Sequence, residues 1–214
     1  MTRSIIAVIA CGVLAGSLGG TGGCSQSGIG DPCIPEQEYD ATFTGFALGQ
    51  INTESKSFQC QTRLCLVNNF QGRVTCPYGQ ESEGKTLGAA KEACSIPGDK
   101  TKPVTGLPDS TVANKSYVEP QCRERKADLT VYCSCRCMNV DGKTNDGANY
   151  CACPDGFECK HLVDSIGAGD TGLTGGYCIK KGTLYDPTSS TCSGTCDATK
   201  PDDPKTGCGK TYQQ

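Results

Sequence analysis

Aromatic side chains, which supply much of the buried surface of most domains, are scarce in this sequence. The chain of 214 residues has no tryptophan, five phenylalanines and eight tyrosines, against 28 glycines. Each fully buried apolar side chain stabilises a fold by only about 1.5–3 kcal/mol, so this composition supports a weak hydrophobic core. We therefore expect covalent cross-links to contribute much of the stability.

Histidine and clustered basic residues are also lacking. His161 is the only histidine, so any Ser–His or Cys–His mechanism would depend on it. No Gly-x-Ser-x-Gly motif accompanies it. We interpret His161 as polar surface and predict no catalytic residue, no metal site, no cofactor and no enzymatic activity. The net charge of −3 and the absence of a basic patch argue against a nucleic-acid partner.

The longest apolar run, residues 5–18, is shorter than the roughly 20 residues that a spanning helix needs. Arg3 precedes this run and the small residues 19–23 follow it. A positive charge, an apolar core and small residues in that order are typical of a secretory signal peptide, which we assign to residues 1–23.

Gly23 and Cys24 directly follow the apolar core and resemble the lipobox of bacterial lipoproteins. The resemblance implies a diacylglycerol on the Cys24 thiol, with residues 24–32 as a tether, and Ser25 is compatible with release to the outer membrane. The chain is similar in this respect to cysteine-rich lipoproteins of Gram-negative bacteria. The alternative is an ordinary signal peptide that is cut near Gly23 and leaves Cys24 as a plain cysteine. The implied location is the outer membrane, on its periplasmic or cell-surface face.

Cysteine is the residue that the sequence has in excess. Of the 18 cysteines, Cys11 belongs to the signal peptide and Cys24 to the lipobox, which leaves an even set. Disulfides persist in the oxidising compartments that an exported protein reaches. We therefore predict eight structural disulfides, with the connectivity left open, among Cys33, Cys60, Cys65, Cys76, Cys94, Cys122, Cys133, Cys135, Cys137, Cys151, Cys153, Cys159, Cys178, Cys192, Cys196 and Cys208.

The predicted fold is small and disulfide-rich, mainly β with long irregular loops and at most one short helix, at about 83–94. Residues 33–96 form a β-rich region, in which strand-like runs at 57–67 and 73–76 flank an Asn/Gly turn. This pattern predicts a β-hairpin with Cys65 and Cys76 facing each other. The prolines and glycines of 97–119 predict a linker or long loop at the boundary between two halves.

Residues 120–181 are the cysteine-dense region. We predict a strand over 129–140 with Cys133, Cys135 and Cys137 on one face, a polar loop at 141–147, and a return strand at 149–153 that brings Cys151 and Cys153 opposite. Cysteines two apart on a strand are poorly placed to bond each other, so each should reach a different segment. Residues 182–214 read as a loop-like segment that disulfides hold in place.

Residues 151–159 resemble the end of an EGF-like module, with a Cys-x-Cys pair, a glycine and an aromatic residue. The likeness covers nine residues, with one residue instead of several before the last cysteine, so it implies no calcium or receptor function. The acidic loop at 141–147 also departs from the EF-hand pattern.

The best prediction of function is a non-enzymatic binding or structural module, attached to a membrane through its lipid, with a protein or glycan partner. One alternative is a secreted inhibitor or toxin-like scaffold that presents the loop Val104–Ser110. The other is metal or redox handling by the thiols between Cys133 and Cys153, since thiolates suit soft metals. The single-residue spacings do not match those of zinc sites.

Overall fold

The computed structural model describes residues 28–81, 93–105, 116–164, 172–189, 192–197, 199–200, 203 and 205–208. The predicted signal peptide, Cys24 and nearly all of the predicted helix at 83–94 lie outside the described residues. Within them the fold class is confirmed: the molecule is mainly β and is cross-linked by eight disulfides.

The strands are short, and in chain order they are β1 (Ile51–Glu54), β2 (Cys65–Asn68), β3 (Gln80–Glu81), β4 (Ser95–Ile96), β5 (Asp99–Pro103), β6 (Ser116–Val118), β7 (Val131–Cys133), β8 (Arg136–Met138), β9 (Phe157–Val163) and β10 (Gly175–Lys180). A 3-10 turn spans Glu36–Tyr39, and a single helical turn, α1, spans Ala127–Thr130. Strands of two to seven residues form sheets that are marginal alone, which is why the cross-links matter.

Two three-stranded antiparallel sheets make up the centre of the molecule. The first has the strand order β1-β2-β7 and the second β8-β10-β9. Smaller two-stranded sheets pair β3 with β6 and β4 with β5. Because β2 and β7 come from opposite sides of residues 97–119, the two predicted halves share one sheet. The segment 97–119 is not a plain linker either, since it contributes β5 and β6.

The alternation of side chains on β2, β7 and β10 places the two sheets in layers. Cys65, Val67 and Cys133 enter one core, whereas Leu66 and Tyr132 point to the opposite face. There they meet Tyr177 and Ile179 of β10 in a second core. Cys178 lies between those two residues in the sequence, and its side chain faces a third cluster, in which most residues are cysteines. Disulfides therefore pack on both outer faces, joined on the first sheet by apolar side chains such as Phe70, and apolar side chains fill the layer between the sheets.

The predicted hairpin at 57–67 and 73–76 is wrong. β2 pairs with β1 and β7, while Arg73 and Cys76 bridge each other across a tight turn. The chain leaves β2 through the left-handed backbone of Asn69, with φ of 52°, and both edges of β2 are paired, with β1 and with β7, so no edge is left for residues 73–76. Accordingly, Cys65 bonds Cys33 and Cys76 bonds Cys94.

The predicted strand 129–140 is also wrong, since the chain leaves one sheet and joins the other in its middle. Residues 127–130 form α1, in which the Thr130 hydroxyl donates to the Lys126 carbonyl over 2.9 Å. β7 then ends at Cys133, and Ser134 makes the crossing, with its hydroxyl donating to the Cys178 carbonyl over 2.7 Å. Cys133 therefore lies in a different core from Cys135 and Cys137. No return strand forms at residues 149–153.

The folded part of the chain begins earlier than the predicted tether allows. The Gly30 amide donates to the Cys133 carbonyl, and the Cys133 amide donates to the Asp31 carbonyl, each over 2.8 Å. A side chain at residue 30 would strike the Phe157 ring, because a Cβ there would lie 2.7 Å from it. Residues 30 and 31 therefore belong to the fold, and a tether can extend only over residues before them.

Candidate functional site

Phe58 is the large apolar side chain most open to solvent among the described residues. It is 79% exposed, against 48% for Leu184, the next highest. It lies in the connection between β1 and β2, and we call residues 55–63 the Phe58 loop. Burial of an aromatic ring is a major source of stability and of binding energy, so the exposed ring of Phe58 could contribute binding energy to a partner that covers it.

Covalent and hydrogen bonds on both sides of Phe58 fix the loop. Cys60 is bonded to Cys133 of β7. The Gln59 side chain accepts from the Ile34 amide over 2.9 Å and donates to the Ile34 carbonyl over 2.8 Å. Within the loop, the Ser57 amide donates to the Arg63 carbonyl over 3.0 Å. A loop that is already ordered loses little conformational freedom when it binds, which favours affinity.

The only charged side chains of the Phe58 loop are basic. The Arg63 guanidinium lies over the Phe58 ring, 4.2 Å from its centre, in a cation–π contact. Arg63 reaches this position from a left-handed backbone conformation, with φ of 62°. Lys56 is exposed beside them, and residues 55–63 include no acidic residue. Aromatic residues, phenylalanine included, and arginine are enriched at protein–protein interfaces relative to the rest of the surface.

No motif in the sequence points to Phe58. The available signal was an isolated phenylalanine among polar residues, two positions before a cysteine. The loop Val104–Ser110, which the sequence suggested as a loop presented to a partner, is less suited to that role. Val104 is buried, and its amide donates to the Cys94 carbonyl over 2.8 Å. Residues 106–110 lie outside the described part of the chain.

The second candidate site is the sulfur cluster on the outer face of the β8-β10-β9 sheet, which consists of three disulfides. Cys135 is bonded to Cys151, Cys137 to Cys159, and Cys153 to Cys178. As predicted, Cys133, Cys135 and Cys137 each reach a different segment. Cys153, predicted to oppose those three, bonds β10 instead. The remaining predicted cysteines are paired as Cys122–Cys192 and Cys196–Cys208.

The bridges of the sulfur cluster are in contact with one another. The Cys178 sulfur lies 3.6 Å from that of Cys151 and 3.8 Å from that of Cys135. The sulfurs of Cys137, Cys153 and Cys178 lie within 4.8 Å of one another. Soft metals bind thiolates, and a sulfur in a disulfide carries no such charge. In the bridged state this cluster is therefore suited to sulfur exchange rather than to metal binding.

The single histidine lies on β9, away from the Phe58 loop in sequence and sheet. Its Nδ1 is 3.4 Å from a carboxylate oxygen of Asp164, a side chain that is almost fully exposed. The two residues are three positions apart in the sequence and form a pair at the surface. The geometry supports the interpretation of His161 as polar surface, because an exposed carboxylate is a poor orienting partner for a catalytic imidazole.

The polar loop at 141–147 is organised by a single carboxylate. Asp146 accepts hydrogen bonds from the Asn139 side-chain amide (2.9 Å), the Ala148 backbone amide (3.1 Å) and the Tyr150 hydroxyl (2.7 Å). The Tyr150 and Asn139 donors lower the pKa of Asp146 to about 2. With its oxygens already bonded to protein donors, Asp146 serves to hold the loop.

A carboxyl with a raised pKa lies in the interior. Glu38 is fully buried and accepts from the Val74 amide (2.6 Å) and from the amide and hydroxyl of Thr75 (3.0 and 2.6 Å). Burial raises its pKa, while the Thr75 donor and the buried Arg73 guanidinium oppose that shift. Arg73 in turn donates to the carbonyls of Phe43 and Glu38. Neither side chain is accessible to a ligand, so the pair is structural.

Comparison with known proteins adds no function. No protein-family model matches the chain, and neither a curated protein nor a solved structure matches it. In the part of the chain that the structure describes, no helix has the length and apolar character needed to cross a bilayer.

Proposed function

We propose that this chain is an exported envelope protein, anchored by lipid on Cys24, that binds another protein without enzymatic activity through its Phe58 loop. The observation that carries the proposal is the exposure of Phe58 on a loop that a disulfide and two hydrogen bonds to Ile34 hold in place. The Phe58 ring buries little of its surface within the fold, whereas a fixed aromatic with an adjacent arginine suits recognition.

The basic character of the loop indicates the chemistry of the partner. Arg63 and Lys56 contribute two positive charges, and the stacked Phe58 ring provides the apolar contact. A partner surface with an apolar pocket rimmed by carboxylates would satisfy both, because charge complementarity steers encounter and apolar burial slows dissociation.

Cysteine pairing supports the lipid on Cys24. All sixteen cysteines from Cys33 to Cys208 are bonded to one another, so no disulfide requires Cys24. Three residues lie between Cys24 and Gly28, the first described residue, and the four residue-to-residue steps span at most about 14 Å. A lipid on Cys24 would therefore hold the folded domain close to the bilayer surface.

Binding is tested by capture with matched variants. Wild-type protein, Phe58→Ser and Leu184→Ser, each immobilised, are exposed to surface-protein extracts of the native envelope and of neighbouring cells. We expect at least one protein to be captured by the wild type and by Leu184→Ser, and about 30-fold more weakly by Phe58→Ser, since truncation of an aromatic hot spot costs about 2 kcal/mol or more. Capture that is indifferent to Phe58→Ser, or no specific capture, would contradict the proposed binding loop.

The anchor is tested separately, by intact mass of protein from the membrane fraction. We expect the mature chain to begin at Cys24 and to carry the mass of acyl chains there, and Cys24→Ser to move the protein to the soluble fraction. A bare Cys24 would contradict the anchor and leave the binding proposal standing.

A further inference from the structure

Cys178 is at the centre of the sulfur cluster and is positioned by the backbone around it. It lies in the middle of β10, opposite Cys159 of β9. Its amide donates to the Cys135 carbonyl over 3.1 Å, and its carbonyl accepts the Ser134 hydroxyl. These contacts hold its sulfur against a disulfide other than its own, with the Cys151 sulfur 3.6 Å away.

Burial determines which sulfur an external thiol can reach. Cys178 is fully buried and Cys135 nearly so, while Cys153 and Cys151 are half-buried. Thiol–disulfide exchange requires access of the attacking thiolate to a sulfur, and the other sulfur leaves as a thiolate. An external thiolate that opens the Cys153–Cys178 bridge therefore attacks Cys153 and releases Cys178 as the thiolate.

We propose that Cys178 is the nucleophile of an internal thiol–disulfide exchange that transfers reduction from the Cys153–Cys178 bridge to the Cys135–Cys151 bridge. The co-reactant is an external dithiol, whose first thiolate forms a mixed disulfide with Cys153. The released Cys178 thiolate attacks the Cys151 sulfur, which forms a Cys151–Cys178 bond and expels Cys135 as a thiolate. The second thiol of the reductant then displaces Cys153 and leaves the reductant as a disulfide.

The exchange balances and has a structural consequence. Two electrons pass from the dithiol to the protein, one protein disulfide is lost in total, and protons from the medium or the reductant complete two thiols, on Cys135 and Cys153. Cys151 becomes bonded to β10 instead of to the residue that precedes β8. The loop between Asn139 and Cys151 thereby exchanges one attachment for another without being released. This activity is independent of the lipid and of the Phe58 loop.

A cysteine variant tests the exchange directly. In the variant Cys153→Ser, made in an oxidising host, Cys178 has lost its disulfide partner. We expect the Cys135–Cys151 cross-linked peptide to be replaced by a Cys151–Cys178 peptide. Cys135 is then a free thiol and should be alkylated. The control is Cys208→Ser, which frees the buried Cys196 of a bridge outside the cluster. There we expect Cys196 to be alkylated and the other seven bridges to remain. An intact Cys135–Cys151 bridge with Cys178 alkylated overturns the proposal.

A measurement on the wild-type chain covers the case in which Cys153→Ser does not fold. The native protein is treated with limiting dithiothreitol, quenched with acid, alkylated and mapped by mass spectrometry. We expect Cys135 and Cys153 to be the first pair alkylated, together with a new Cys151–Cys178 peptide. First alkylation of Cys153 with Cys178, or of any pair outside the cluster, overturns the proposal.

Discussion

Replacement of the buried Cys60–Cys133 disulfide by two alanines should lower the free energy of unfolding by about 4 kcal/mol. The two cysteines are 73 residues apart in the sequence. The Cys76–Cys94 bridge lies inside that span and already closes 18 of those residues into a smaller loop, so the effective loop has about 55 residues. The loss of loop-closure entropy for that length gives the estimate. Both sulfurs are fully buried, so the cavity they leave adds to the loss.

The matched comparison is the Cys196–Cys208 bridge, whose sulfurs are also buried but which spans only 12 residues. The same relation gives about 3 kcal/mol for its double alanine variant. Both variants would be measured by urea unfolding under non-reducing conditions, monitored by circular dichroism. We expect a steeper dependence on urea for the Cys60/Cys133 variant, because its unfolded state exposes more surface. A loss no larger than that of the Cys196/Cys208 variant would refute the reasoning.

Three further predictions concern charged side chains. Glu38→Gln should cost about 3–5 kcal/mol in thermal unfolding, because it leaves the buried Arg73 charge uncompensated; unchanged stability would contradict this. Asp146 has its pKa lowered to about 2, so its bonds to the loop are present above its ordinary pKa of 3.8 and are lost as pH falls toward 2. A pH titration of the Tyr150 ring by NMR should have its midpoint near 2, and a midpoint at 3.8 would count against the loop structure. Arg125→Met should cost about 3 kcal/mol in urea unfolding, because three carbonyls lose a charged donor; a cost below half of this would contradict it.

The class of fold was predictable because composition constrains it. Few aromatic residues, abundant glycine and sixteen cysteines beyond Cys24 leave a disulfide-rich, mainly β fold as the stable solution for a chain of this kind. The pairing of Cys133, Cys135 and Cys137 with three different segments was also predicted, although from a shared strand that does not form.

The connectivity was not predictable because it is decided by tertiary contacts. β2 is buried on both faces, so its residues carry no alternation that would reveal which side meets which partner. The crossing at Ser134 follows from its hydrogen bonds to Leu64 and Cys178, with no glycine or proline to mark it. Local patterns therefore joined β7 and β8 into one strand.

The exposure of Phe58 could not be read from the sequence for the same reason. Phe70 is buried and Phe58 is not, although both stand between polar residues. The difference arises where Gln59 binds Ile34 and Cys60 enters the core, which leaves Phe58 on the outer side of the turn.

The order of the disulfides along the chain determines what a single proteolytic cut can do. The spans Cys33–Cys65, Cys60–Cys133 and Cys122–Cys192 each overlap the next, so a peptide bond broken anywhere between Cys33 and Cys192 leaves both fragments covalently joined. Only the short stretch from Cys192 to Cys196 falls between spans, before Cys196–Cys208 closes the last one. A single cut after Cys33 would thus release no more than the segment that follows Cys192.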